Sequence, residues 1–169
     1  MEVCKLLLKS AKDKNPRDDS GLTPLHMAAN KGYLEICKLL MKGLSNKNPV
    51  SDDGQHTPLH LALAHSGDLD TVKLLLQNSE DVKSLVNAAN KNQQTPLHIA
   101  AQHGKNSVIK VLLDNSSCIS AVDNDKNTPL HLALAYRGDL DTVMLFLQHS
   151  ENVKITKYCT HTSNTHMLK

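Results

Sequence analysis

The sequence predicts an all-α solenoid, a row of stacked helix–turn–helix units joined by β-hairpin-like loops. Three observations predict it. The tetrapeptide Thr-Pro-Leu-His occurs four times, starting at Thr23, Thr57, Thr95 and Thr128, with spacings of 34, 38 and 33 residues. Each copy is followed by an Ala five residues after its Thr (Ala28, Ala62, Ala100, Ala133) and a Gly near the tenth position (Gly32, Gly67, Gly104, Gly138). A Leu-rich stretch comes next each time, at Tyr33–Lys42, Asp68–Gln77, Lys105–Asp114 and Asp139–Gln148. Near-constant spacing of this length marks an architecture whose units shelter one another's apolar faces.

Each element of the unit has a physical reason. Thr is a good N-cap, because its hydroxyl accepts from an early helical N–H. Pro suits the first turn, where its missing N–H costs nothing and its fixed φ is already helical. Ala lets neighbouring helices approach closely. Gly adopts the left-handed conformation that ends a helix and turns the chain back. The following stretch restarts a helix with an apolar stripe, Leu34, Cys37, Leu40 and Met41 in one copy and Leu69, Val72, Leu75 and Leu76 in the next.

These units place an array at 1–153, with a partial repeat at 1–10, repeats at 18–42, 52–77, 90–114 and 123–149, and an irregular tail at 154–169. Glu2–Lys9 aligns with Glu35–Lys42, so the chain opens inside the second helix of a unit. Thr57–Val82 and Thr128–Val153 are identical at 20 of 26 positions, offset by 71 residues. Two insertions, Asn48–Asp53 and Gln77–Val86, lengthen the connections. At the same offset Asn164–Lys169 falls where a further motif is due, and the motif is gone; a fragment of a longer array is the expectation.

The Thr-Pro-Leu-His-x-Ala signature, the Gly turn and the Leu-Leu helix resemble ankyrin repeats. That resemblance implies a hairpin-like loop ahead of each Thr, with an Asp five residues before it. Asp18, Asp52 and Asp123 fill that place and Asn90 stands in the third copy. The Gly expected two residues before the Thr survives as Gly21 alone, with Gln55, Gln93 and Lys126 in the other copies. Gly54 is expected to shift the second turn by one residue. The resemblance also implies that His26, His60, His98 and His131 bond backbone and the Thr of a neighbouring unit, holding the stack together.

Composition narrows the function. Lys and Arg number 19 against 17 Asp and Glu, a net charge of +2, which gives no field for nucleic acid or an acidic membrane. Aromatic residues make up 2%, too few for base-stacking platforms. No apolar run approaches the roughly 20 residues of a membrane span, and Met1–Lys14 carries too many charges for a secretory leader. Cys4, Cys37, Cys118 and Cys159 are scattered without a Cys-x-x-Cys pair, which agrees with a cytoplasmic setting. Cys4 and Cys37 would sit on stacked helices about 8–10 Å apart, beyond disulfide reach.

No metal site, cofactor or catalytic centre is expected. The His pairs 60/65 and 98/103 are five apart rather than four, and no nucleophile elbow or phosphate loop is present. The Asp18-Asp19 and Asp52-Asp53 pairs lack calcium-loop spacing.

Binding of another protein is the expected role. The positions that differ among the four copies are the hairpin tips and the ends of the first helices. The tips supply Asp19, Ser20, Leu22, His56, Lys91, Asn92, Gln94, Asn124, Asp125 and Asn127. The helix ends supply Asn30, Lys31, His65, Gln102, His103, Tyr136 and Arg137. Resemblance to ankyrin repeats implies that such positions line a concave partner-binding face. Tyr136-Arg137 is the expected hot spot, since both residue types are enriched in hot spots. Two further expectations follow from resemblance: the cytosolic ankyrin region of a transient receptor potential-type channel, and an inhibitory module similar to those that mask NF-κB factors.

Overall fold

A computed structural model describes residues 15–44, 46–115, 118–136 and 140–152. The partial repeat at 1–10, the tail at 154–169 and Arg137 lie outside the described residues. Among the described residues the secondary structure is helical, with no strand.

Four helix pairs follow the four motifs: α1 (Pro24–Lys31) with α2 (Leu34–Met41), α3 (Pro58–Ala64) with α4 (Leu69–Gln77), α6 (Pro96–Gln102) with α7 (Asn106–Asn115), and α8 (Pro129–Tyr136) with α9 (Leu140–Asn152). The first helices stack as α1–α3–α6–α8 and the second helices as α2–α4–α7–α9. Two layers result, with the core between them.

That core is aliphatic, as the scarcity of aromatics requires. Leu25, Leu59, Leu63, Leu75, Leu97, Ile109 and Leu112 are among its largest fully buried side chains, and Phe146 is the one buried Phe. The signature alanines Ala28, Ala62, Ala100 and Ala133 are buried where first helices meet. Cys37 is a free buried thiol, as expected of a small apolar residue. Cys118, by contrast, is disulfide-bonded, which its isolated spacing gave no reason to expect.

Signature residues close both ends of α1, α3 and α6. Gly32, Gly67 and Gly104 are left-handed, at φ 69°, 58° and 61°. The turns there let Tyr33, Gly67 and Lys105 N–H groups reach back to the carbonyls of Ala28, Ala62 and Ala100. Second helices use other caps: the Asp68 carboxylate accepts from Thr71 N–H at 2.8 Å.

The long insertion does more than lengthen a connection. Val82–Asn87 forms an additional helix, α5, capped by Asp81, whose carboxylate accepts from Ser84 N–H at 2.9 Å. Its Leu85 and Val86 are buried, and it packs against α4, α6 and α7.

The loops keep one geometry with varied residues. Asp18, Asn90 and Asp123 each accept two backbone N–H groups, from Ser20 and Leu22, Asn92 and Gln94, and Asp125 and Asn127. In the second copy Ser51, not Asp52, takes this place: its hydroxyl accepts from His56 N–H at 2.9 Å, and the loop is one residue longer. Asp52 turns aside to pair with Arg17 at 2.9 Å, an exposed bridge of small energetic weight. Gly54 does not take over the left-handed position. Gln55, Gln93 and Lys126 hold it at φ 52°, 59° and 65°, where the first copy has Gly21 at 74°. A side chain at that φ costs on the order of 1–2 kcal/mol, partly offset by the lower chain entropy of a non-Gly residue. Gln93→Gly is therefore expected to stabilise the fold by roughly 0.5–1 kcal/mol in urea denaturation; a loss would show that the Gln93 side chain itself contributes.

Candidate partner-binding surface

Two rows of variable residues rest on a fixed framework, and the framework is built from the four histidines. In every copy the Thr N–H donates to Nδ1 of the His three residues on, at 3.0, 3.2, 3.1 and 3.1 Å. The Thr hydroxyl lies against the same nitrogen at 2.8–3.0 Å. The Thr partner is thus in the same repeat, not a neighbouring one, which corrects the expectation. Local geometry explains this: N-cap and third helical residue face each other across one turn. The neighbour enters through the other nitrogen. Nε2 of His26, His60 and His98 donates to the carbonyls of His56, Gln94 and Asn127 at 2.9, 3.2 and 3.1 Å.

This arrangement fixes one tautomer. A carbonyl can only accept, so Nε2 carries the proton, and Nδ1 must stay bare to meet the Thr N–H. Burial lowers the pKa of His26 and His98 and takes His60 down to about 4. His56 is lowered by burial too, and its ring stands edge-on to His60 at 5.8 Å.

The first row is the hairpin tips. Each tip bonds the next through backbone: Asp52 N–H to Ser20 carbonyl at 3.0 Å, Lys91 N–H to Gly54 carbonyl at 2.9 Å, Asn124 N–H to Asn92 carbonyl at 3.0 Å. Asp19, Lys91, Asn92, Asn124 and Asp125 are exposed along it, with Ser20 partly so. The second row is the ends of the stacked first helices. Lys31, His65 and Tyr136 are exposed there, Tyr136 by 62%, and Asn30, Gln102 and His103 are half-buried.

Not all the expected residues stand free for a guest. Leu22, His56, Gln94 and Asn127 are half-buried at the base of the tips. Carbonyls of the last three already serve the histidine bonds, and the His56 ring is packed against His60. Their backbone belongs to the framework. Position next to the motif Thr could have signalled this.

A separate concavity was not foreseen. The two lengthened connections, 46–50 and 78–88, face each other across a cleft of about 390 Å³. Its walls carry Asn46, Lys47, Asn48, Asn78, Ser79 and Glu80, and Asn48 Nδ2 donates across it to Ser79 Oγ at 3.0 Å. Among the described residues no group of three or more His, Cys, Asp or Glu is placed to hold a metal. No helix there is long and apolar enough to cross a membrane.

Comparison with known proteins agrees with this architecture. The family model described as "Ankyrin repeats (3 copies)" matches residues 1–84 and 77–157. The chain is 36% identical over 96 residues to human "Transient receptor potential cation channel subfamily A member 1", covering 57% of this chain and 8% of that protein. It is 30% identical over 119 residues to dog "Inversin", 70% of this chain and 11% of that protein. It is 42% identical over 55 residues to mouse "60 kDa lysophospholipase", 32% of this chain and 9% of that protein. The chain thus spans about a tenth of the length of these relatives.

Proposed function

We propose that this chain, which belongs to the ankyrin-repeat family, is a protein-interaction scaffold that holds a partner along its hairpin tips and first-helix ends and performs no catalysis. The observation that carries the reading is a division of labour. Residues common to the copies are spent on stacking, with Thr23, His26, Thr57, His60, Thr95 and His98 all buried. Of the residues that differ between copies, Asp19, Lys31, His65, Lys91, Asn92, Asn124, Asp125 and Tyr136 stand exposed in two rows on that base. Variation on a fixed frame is how one fold acquires a particular partner.

Tyr136 and Arg137 are the proposed hot spot. A pull-down with this chain as bait tests the reading. Tyr136→Ala with Arg137→Ala is expected to reduce partner capture at least tenfold, about 1.4 kcal/mol, and to leave far-UV circular dichroism unchanged. Capture equal to wild type would remove both residues from the surface.

The cytosol is the setting we propose; Cys118, disulfide-bonded in the structure, would be a thiol there. A second reading, the cytosolic repeat region of a cation channel, is favoured by the 36% identity to the human channel. Six apolar spans in adjoining sequence would support it.

A further inference from the structure

Two stretches exceed the repeat period, Asn48–Asp53 and Gln77–Val86. Their polar residues are not part of the stacking framework, yet they wall the cleft of about 390 Å³ beside the connections that leave α2 and α4. Both walls are set before any guest arrives. On one, Asn46 Oδ1 accepts from Asn48 N–H at 3.0 Å and closes a local turn, with Pro49 buried behind it. On the other, Asp81 caps α5 and Leu85 roots that helix in the core. The Asn48 Nδ2 bond to Ser79 Oγ, at 3.0 Å, ties the two walls together.

Three carboxamides line the space, and the bonds they make occupy one end of each. Asn46 uses its oxygen, which leaves its amide hydrogens. Asn78 donates through Nδ2 to the Leu74 carbonyl at 2.9 Å, which leaves its oxygen. Asn48 gives one amide hydrogen to Ser79, and Ser79 keeps its own hydroxyl hydrogen to donate. The lining thus offers neutral donors and neutral acceptors side by side.

Other guests fit it less well. Glu80 and Asp81 oppose an anion, and Lys47 opposes a cation. Among the described residues no aromatic ring lines the cleft for a base to stack on. Val50, 43% exposed, supplies one small apolar contact. A match needs an uncharged ligand in which donors and acceptors alternate. The backbone of an extended polypeptide is such a ligand, with an N–H and a C=O recurring about every 3.3 Å.

We propose that this cleft holds a short extended segment of a partner protein, bound through its main chain by Asn46, Asn48, Asn78 and Ser79. Backbone bonds supply the affinity, so small uncharged side chains are preferred at the positions that face the walls. The proposal builds on the scaffold reading and adds a second contact, distant in the chain from Tyr136 and Arg137.

An amide-resolved NMR titration of the whole chain, side-chain carboxamides included, tests it. The probe is the blocked pentapeptide acetyl-Ala-Ser-Ala-Ser-Ala-amide, raised to millimolar concentration. Shifts are expected at Asn46, Asn48, Asn78 and Ser79, saturating together. Asn48→Leu should weaken that saturation at least tenfold. Should Asn48→Leu disturb the fold, Ser79→Ala replaces it, with a severalfold weakening expected. Tyr136→Ala with Arg137→Ala should leave the titration unchanged, which separates failure of this site from failure of the tip surface. No shift at the four residues would overturn the proposal. So would an equal response to maltose or to inorganic phosphate, or saturation like that of wild type in a folded cleft variant.

Discussion

Leu112→Ala is expected to cost 2–5 kcal/mol of stability in urea denaturation. Leu112 is 0% exposed on α7, which packs against α4, α5, α6 and α9. Removing its branched end takes away contacts on several sides at once. The helices around the gap are held by caps and by inter-repeat hydrogen bonds, so little collapse can offset the cavity. Leu147→Ala, 46% exposed on α9, is expected to cost under about 1 kcal/mol, since little of its area leaves water on folding. A Leu112 loss below about 1 kcal/mol would mean that the stripe on α7 is out of register with the core.

Acid is expected to destabilise the array by about 3 kcal/mol through His60 alone. Its pKa in the fold is about 4, against an ordinary value of 6.5, with burial as the largest cause and the Gln94 carbonyl bond opposing it. The unfolded chain therefore takes up a proton at a higher pH than the folded one. Stability from this group is fully present above pH 6.5 and is lost as the pH falls from there towards 4. His26 and His98 are shifted in the same direction and steepen the loss. Geometry gives the same sign, because a proton on Nδ1 would face the Thr N–H head on. His56 and His26 near His60 add further repulsion once charged. Denaturation midpoints measured from pH 8 to pH 4 should be level at first and then fall below about 6.5; a flat profile to pH 4.5 would contradict it.

Sequence made the layers and their order legible because the motif residues act locally. Thr, Pro, Ala and Gly each impose one conformational choice, and four concordant copies fix the register. Less was legible where chemistry is interchangeable. Ser51 replaces an Asp because any short side-chain oxygen can accept the loop's N–H, and Gln55, Gln93 and Lys126 replace a Gly because the hairpin holds them left-handed. Helix α5 announced itself in Asp81 followed by Val82, Leu85 and Val86 at helical spacing, a signal too short to stand against the repeat period. Among the candidate binding residues the sequence showed which positions vary. It did not show that His56, Gln94 and Asn127 are half committed to stacking, since that depends on carbonyls about 30 residues away from the rings they meet.

Neighbouring units are joined by ring-to-carbonyl bonds, tip-to-tip bonds and a shared aliphatic core. Stretched between its two ends, such a chain behaves as a zip rather than a knot. Under tension an array of such units gives way in successive lengths of about one period. A tether made this way absorbs a pull in instalments and rewinds from whatever units stay closed.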